Sequence, residues 1–364
     1  MCCRNTVEEP FMFQSISFVR QDESANMLIA VEPNYLLFVA DGCDESSLIS
    51  QYPNHRIYSI HIPAIIWEQK TYHDAMLLCE LDASTQIAFY TMHDKINAPW
   101  LIESKSAMLF VHWLDPNIYT YLDNLFSITN DDITLIGAGC GTTLFPSAPS
   151  LFFNGKPYDK NGFLLLSSNN PMAIGAKHGA HYFNGFYTAR MHNSNTIATI
   201  NGESASAFYA KMIQKLFHET INDESIFKTG LKYPLGLGTT QEEKPLRVPV
   251  AIEGEHLITS GPIEDGSNLS FMQSIVPSFF NAPTLSSLEA KQASTDLAHK
   301  ECFIIECMGR KEVLGTCFDD EIKNLAKQFN TCQLVYGILS LGEIANRSEK
   351  YIEYFNESCV VGVF

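Results

Sequence analysis

The sequence predicts a mixed α/β (α+β) fold in two domains, each a largely buried mixed β-sheet packed with helices. Three observations point there. The chain has 364 residues, more than one ordinary core accommodates, so two domains are expected. Apolar residues make up 46% and charged residues 18%, enough for a buried interior with no stretch of disordered composition. Short apolar runs alternate with helix-like segments, the pattern of sheets with helices laid on them.

In order along the chain, residues 1–11 show no periodicity, and Met12 is an alternative start. Met27-Leu28-Ile29-Ala30-Val31 and Tyr35-Leu36-Leu37-Phe38-Val39-Ala40 read as buried strands, the second closed by the turn signal Asp41-Gly42. Arg56-Ile57-Tyr58-Ser59-Ile60-His61-Ile62 alternates like a half-buried strand. Strands follow at 108–113 and 133–136, with 119–128 as a crossover helix between them. Strand signals dominate at 163–166, 187–191 and 196–200. The clearest helix is 204–217, with Ala207, Phe208, Ala210, Met212, Ile213 and Leu216 at helical spacing. Prolines, glycines and charges make 233–249 a loop or domain junction. Beyond it come strands at 246–252, 271–274, 302–307, 334–339 and 359–363, and helices at 285–297 and 319–329. No internal repeat is legible.

Net charge is −17 and the isoelectric point is near 5, a surface that repels phosphate backbones and anionic lipid; nucleic-acid and membrane binding are not expected. Ten cysteines lack any repeated spacing and sit mostly in apolar contexts, as free thiols do in a reducing cytoplasm. The sequence has no secretory leader pattern and no apolar run of membrane-spanning length, so a cytoplasmic protein is expected.

The chemistry-bearing candidates are few. Ile136-Gly137-Ala138-Gly139-Cys140-Gly141 follows a strand but lacks the glycine spacing and the helix start of a dinucleotide loop. Cys140 has no signature base beside it. The segment 176–202 gathers His178, His181 and His192 among glycines and aromatics. Glycines argue against a helix there, and on a strand His178 and His181 would face opposite ways, so a two-histidine zinc site is poorly supported. One histidine suffices to ligate haem iron. Tyr182, Phe183, Phe186 and Tyr187 offer an apolar wall, and Lys177 or Arg190 offers a partner for propionates. The alternative is a set of ordinary loop histidines beside core aromatics. Arg310 and Glu343 form a possible charged pair, each also readable as a solvated side chain, and the sequon Asn356-Glu357-Ser358 has no use in a cytoplasm.

Several fragments, taken in order, resemble the FIST sensory domain family in both its halves. They are Ile136-Gly137-Ala138-Gly139 with Leu151-Phe152-Phe153-Asn154-Gly155, then His178-Gly179, Gly185, Thr188 and Ile200-Asn201-Gly202-Glu203-Ser204-Ala205. Pro234-Leu235-Gly236, Arg247, Cys307-Met308-Gly309-Arg310, Gly337, Gly342-Glu343-Ile344 and Phe355-Asn356-Glu357-Ser358 continue the likeness. Tyr187 and Ser358 stand where valine and threonine are expected, and the first hundred residues match loosely. The resemblance implies an N-terminal extension at 1–26, a FIST N-terminal domain at 27–205 and a C-terminal one at 206–364. It implies a bacterial ligand-sensing protein rather than an enzyme. Its nitric-oxide-sensing branch further implies haem b on His178, ahead of His181 and then His192, nitric oxide as gaseous ligand and a sensor histidine kinase as partner, with homo-oligomerisation left open. The alternatives are a haem-free module binding an amino acid or another small metabolite through Arg310 and Glu343, and a cysteine-dependent enzyme using Cys140.

Overall fold

Apolar strands that cannot all be covered by helices must bury one face against another sheet. Here three sheets do so around one shared core. The computed structural model describes residues 3–6, 12–22, 33–91, 94, 96, 98–129, 133–143, 148–159, 161–238, 244–294, 297, 300–346 and 351–364. The strand expected at 27–31 lies outside them.

Each sheet is centred on one strand–helix–strand unit whose two strands are parallel. In the first unit Asn34–Ala40 and Arg56–Ile62 pair, joined through the helix Ser46–Gln51. In the second Ser106–His112 and Thr134–Cys140 pair across the helix Ile118–Ile128. In the third Glu301–Cys307 and Leu334–Ser340 pair across the helices Met308–Leu314 and Phe318–Gln328. Each unit then makes a short hairpin and a return strand antiparallel to its own leading strand; the return strands are Ala75–Leu81, Gly162–Ser168 and Cys359–Val363. An entry strand lies outside each return strand: Phe13–Arg20, Gln86–Thr91 and Ala173–Lys177. The first of these is buried, although the sequence placed it within an extension.

The hairpins do not stay with their units. Ile65–Trp67 pairs with Leu334–Ser340 of the third unit, Leu151–Phe153 with Arg56–Ile62 of the first, and Glu343–Asn346 with Thr134–Cys140 of the second. The exchange closes a ring, and the register repeats with it. The fourth residue of each trailing strand, Ser59, Gly137 or Gly337, opposes Leu37, Leu109 or Ile304 on one side and Phe152, Ile344 or Ile66 on the other. The chain is a topological triplicate, an order absent from the sequence reading. Sheets therefore cross residue 205, with strands from before and after it hydrogen-bonded side by side.

The inner faces meet in one core through Phe38 and Ile60, Phe110 and Leu164, and Phe303 and Ile338. The outer faces are covered by helices: Leu48 on the first sheet, Leu122 and Leu125 on the second, Phe318, Ile322 and Leu325 on the third. Helix Phe318–Gln328 carries Asp319, Asp320 and Glu321 in its first turn and Lys327 in its last, matching its dipole.

Between entry strand and parallel pair, the third unit carries an insertion over 178–300. It forms an antiparallel eight-stranded sheet with the helices Ala205–Phe217 and Ile226–Lys232 packed on it. The stretch expected as a junction at 233–249 contributes the buried strands Leu235–Leu237 and Leu246–Arg247, since its apolar residues complete that sheet. The insertion returns through the helix Val276–Ala293, whose Phe279 and Ala290 pack on the third sheet. Among the described residues no helix is long and apolar enough to cross a membrane.

A Cβ at Gly337 would lie 1.9 Å from the carbonyl oxygen of Ile304. Gly337→Ala is expected to destabilise the protein by about 3 kcal/mol, read from urea denaturation, because backbone must shift. At the equivalent position Ser59→Ala removes a buried hydroxyl that has no hydrogen-bond partner, and should be neutral or stabilising.

Candidate functional site

Parallel strands end together, and the loops that leave them diverge to open a crevice. At the carboxyl ends of the second and third parallel pairs lies a cavity of about 500 Å³. The second unit supplies Trp113, Thr142 and Thr143, just past its two strand ends. The third supplies Cys307, Met308 and Gly309 at the end of its leading strand, Leu341 past its trailing strand, and Asn356 and Glu357 from the turn before its return strand. The insertion closes the cavity with Phe227, Leu231, Val248, Val250 and Ser260. A second cavity of about 490 Å³ adjoins it, sharing Phe227, Leu231 and Glu312.

Backbone bonds fix this geometry. The Trp113 N–H donates to the Cys140 carbonyl at 3.0 Å, and the Leu341 N–H donates to the Gly139 carbonyl at 2.9 Å. A Cβ at Gly141 would lie 2.5 Å from the Trp113 ring, so glycine lets the indole lie against the chain. That close packing accounts for part of the glycine run in which a dinucleotide loop was sought. Ser260 holds Asn356 through a 2.8 Å bond to its side-chain oxygen.

Two polar atoms of the lining residues are buried without a partner: Trp113 Nε1 and Glu357 Oε1. Glu357 is fully buried; its Oε2 accepts from Ser274 Oγ at 3.1 Å, and its N–H donates to Cys307 Sγ at 3.2 Å. Burial raises its carboxyl to about 8, with Ser274 and Arg310 pulling the other way. Buried polar atoms without a partner call for an explanation, and in residues that line a mainly apolar cavity a bound ligand supplies one.

Behind this wall lies a buried cluster in which Arg310 pairs with the carboxyls of Glu306 and Glu321 and stands within electrostatic reach of those of Glu343 and Glu357. Arg310 Nε lies 2.5 Å from Glu306 Oε1, and Nη2 donates to Glu321 Oε2 at 2.6 Å. Its remaining donors reach the carbonyls of His178 at 3.0 Å, Glu357 at 3.2 Å and Phe279 at 2.6 Å. Glu343 accepts from Ser340 Oγ at 2.5 Å and from the Ser358 N–H at 3.0 Å, and burial raises it to about 7. Arg310 and Glu343, expected as contacts to an amino-acid ligand, are thus committed internally; neither lines the cavity.

The residues nominated for haem do not fit one. His178 is 2% exposed, its Nδ1 accepting the Ala180 N–H at 2.9 Å. The helix Val276–Ala293 packs directly over it, since a Cβ at Gly179 would lie 2.8 Å from the Ser278 carbonyl oxygen. His181 is exposed at the start of the strand His181–Asn193. Phe183 and Phe186 are 44% and 46% exposed, and Phe183 packs on Phe217 while Phe186 lies beside Tyr182. Lys177 pairs with Glu289 and Arg190 with Asp265; His192 stacks on His256. The strand His181–Asn193 spreads the rest of these residues along 13 positions, Lys177 and His178 precede it, and none of them lines either cavity. No cluster of three or more His, Cys, Asp or Glu able to hold a metal occurs among the described residues. Cys140 is a fully buried core residue whose thiol burial pushes up, the opposite of an activated nucleophile.

Cys307, Met308, Gly309 and Glu357 lie within sequence motifs that carry no assigned site, and Trp113 lies in none. The motif spacing was the available signal for the former; nothing in the sequence marks the latter.

Residues 205–346 match the family model described as the FIST C domain. The match spans the insertion from residue 205 onward and the third unit as far as Asn346, and it supports the C-terminal half of the resemblance drawn from the motifs. No match was found among curated proteins.

Arg310→Met should lower stability by about 3–5 kcal/mol in chemical denaturation, because it leaves buried carboxyls unpaired. Glu357 binds its proton more tightly folded than at its ordinary value of 4.5. Between that value and about 8 the folded state holds more protons than the unfolded one, so stability falls as pH rises, by up to about 1.4 kcal/mol per pH unit for this group. Glu357→Gln should flatten that decline and exceed the wild type in stability at pH 8, measured by denaturation across the range.

Proposed function

We propose that this protein is a small-molecule sensor of the FIST type, and that the cavity between the second unit, the third unit and the insertion is its ligand site. One observation carries the reading: Trp113 Nε1 and Glu357 Oε1, both buried and unpartnered, belong to residues lining an otherwise mainly apolar chamber of about 500 Å³. A ligand there would complete two hydrogen-bonding groups that the fold leaves unsatisfied, once the two side chains turn toward it. The family match supplies the sensory part of the reading.

The site is read as a binding site rather than a catalytic one. Its thiol, Cys307, is buried and pushed well above the usual range, with Glu343 and Glu357 nearby adding to the effect of desolvation. A thiol so placed is a poor nucleophile.

Because three bodies contribute walls, an occupant would tie the insertion to both units. Binding energy would then favour one arrangement of the insertion, and its outer surface would carry the signal.

A metabolite screen by thermal shift should find a compound that stabilises the wild type as its concentration rises above its dissociation constant, by about 2.7 kcal/mol at a hundredfold excess. Val250→Trp, which fills the chamber from a half-buried strand position, should fold normally and lose that response. Equal stabilisation of both proteins would place the ligand elsewhere.

A further inference from the structure

We infer that the ligand is a compact organic ammonium: an amine on an aliphatic or aromatic body, carrying a neutral acceptor oxygen and no carboxylate. The inference rests on the reading of the cavity as the ligand site and specifies what that site selects.

The lining offers an anion no partner of opposite charge. Glu312 and Glu357 line the chamber, and its described lining residues include no Lys, Arg or His. The two buried guanidiniums among the described residues are taken. Arg310 is shared among Glu306, Glu321 and three carbonyls. Arg247 donates to the carbonyls of Pro262, Leu246 and Tyr354 and to the Tyr119 hydroxyl. A ligand carboxylate entering here would meet no cation of the chamber's own described lining, and below about pH 8 it would face Glu357 as a neutral acid with Glu312 beside it, so no ion pair offsets its desolvation.

The same arrangement suits a cation. Glu357 Oε1 is a fully buried acceptor with no partner. Trp113 and Phe227 place aromatic rings in the wall, and aromatic rings attract ammonium groups. Leu231, Val248, Val250 and Leu341 would cover an organic body. The indole Nε1–H can only donate, so it calls for an oxygen on the ligand.

Protons follow. The groups around Glu357 are Ser274 on its carboxyl, Cys307 at its N–H, Arg310 at its carbonyl, Glu343 and Tyr209 within electrostatic reach, and Glu312 in the same chamber. In this setting the carboxyl holds its proton up to about 8. An ammonium that pairs with the carboxylate therefore expels one proton on binding below that pH, and affinity rises with pH. A neutral ligand accepting from the protonated acid would show the reverse.

Isothermal titration calorimetry of the full chain decides between them, using tyramine and 6-aminohexan-1-ol against their neutral counterparts tyrosol and 1,6-hexanediol and the acid 4-hydroxyphenylacetate. At pH 8 at least one of the two amines should bind ten times or more tighter than its neutral counterpart, and the acid should not bind. From pH 8 down to 6 that amine's affinity should fall about tenfold per unit, with one proton released per ligand, read from buffers of different ionisation enthalpy. Glu357→Gln should bind it at least tenfold more weakly with no pH slope. Should that variant not fold, the wild-type proton count stands alone. Tighter binding of a neutral compound or the acid, lost in Val250→Trp, overturns the ammonium and leaves the site intact. Failure of both amines to bind also overturns it, whereas the site itself falls only if the metabolite screen gives no response that Val250→Trp removes.

Discussion

Each trailing strand of the three parallel pairs needs a partner on its outer side, and that need governs the molecule. A central strand left unpaired would bury a row of unsatisfied amides and carbonyls. No unit can meet the need itself, because its own hairpin is directed to a neighbour. The hairpin of the first unit completes the third, that of the second completes the first, and that of the third completes the second. Removing one hairpin would thus open the sheet of another unit, which makes the three sheets a single cooperative body around one core.

That closure also sets where chemistry can happen. Carboxyl ends of neighbouring parallel pairs come together, and the insertion in the third unit roofs the crevice between the second and third. Two buried arginines tie the roof down. Arg310 reaches from the third unit to the carbonyls of His178 and Phe279 in the insertion. Arg247 reaches from the insertion to the Tyr354 carbonyl of the third unit and to Tyr119 of the second. Arg310 also ties an acid-rich cluster to the chamber wall.

Much of the local structure was legible. The crossover helix at 119–128, the helix at 319–329 and the strands at 302–307 and 334–339 all follow from periodicity, since burial on one or both faces demands apolar residues at fixed spacing. The site was less so. His178 and Arg310 stood out by residue type, yet they are neighbours for a packing reason, the Arg310 bond to the His178 carbonyl. Trp113, 244 positions before Glu357, carries no local mark of its partner.

The triplicate was hidden for a related reason. Equivalent positions need apolar volume, not identity, and are filled by Leu37, Leu109 and Ile304 or by Leu78, Leu165 and Val361. Glycine at the crowded fourth position recurs in two units, while Ser59 takes it in the third instance. By itself the sequence determined the fold class, most elements, the acidic balance and the likeness in its C-terminal part to a sensory domain. Tertiary structure alone decided which hairpin closes which sheet, which histidine is buried, and that Trp113 and Glu357 line one chamber. Periodicity records which face of a strand or helix is buried; it does not record the partner against which that face is buried.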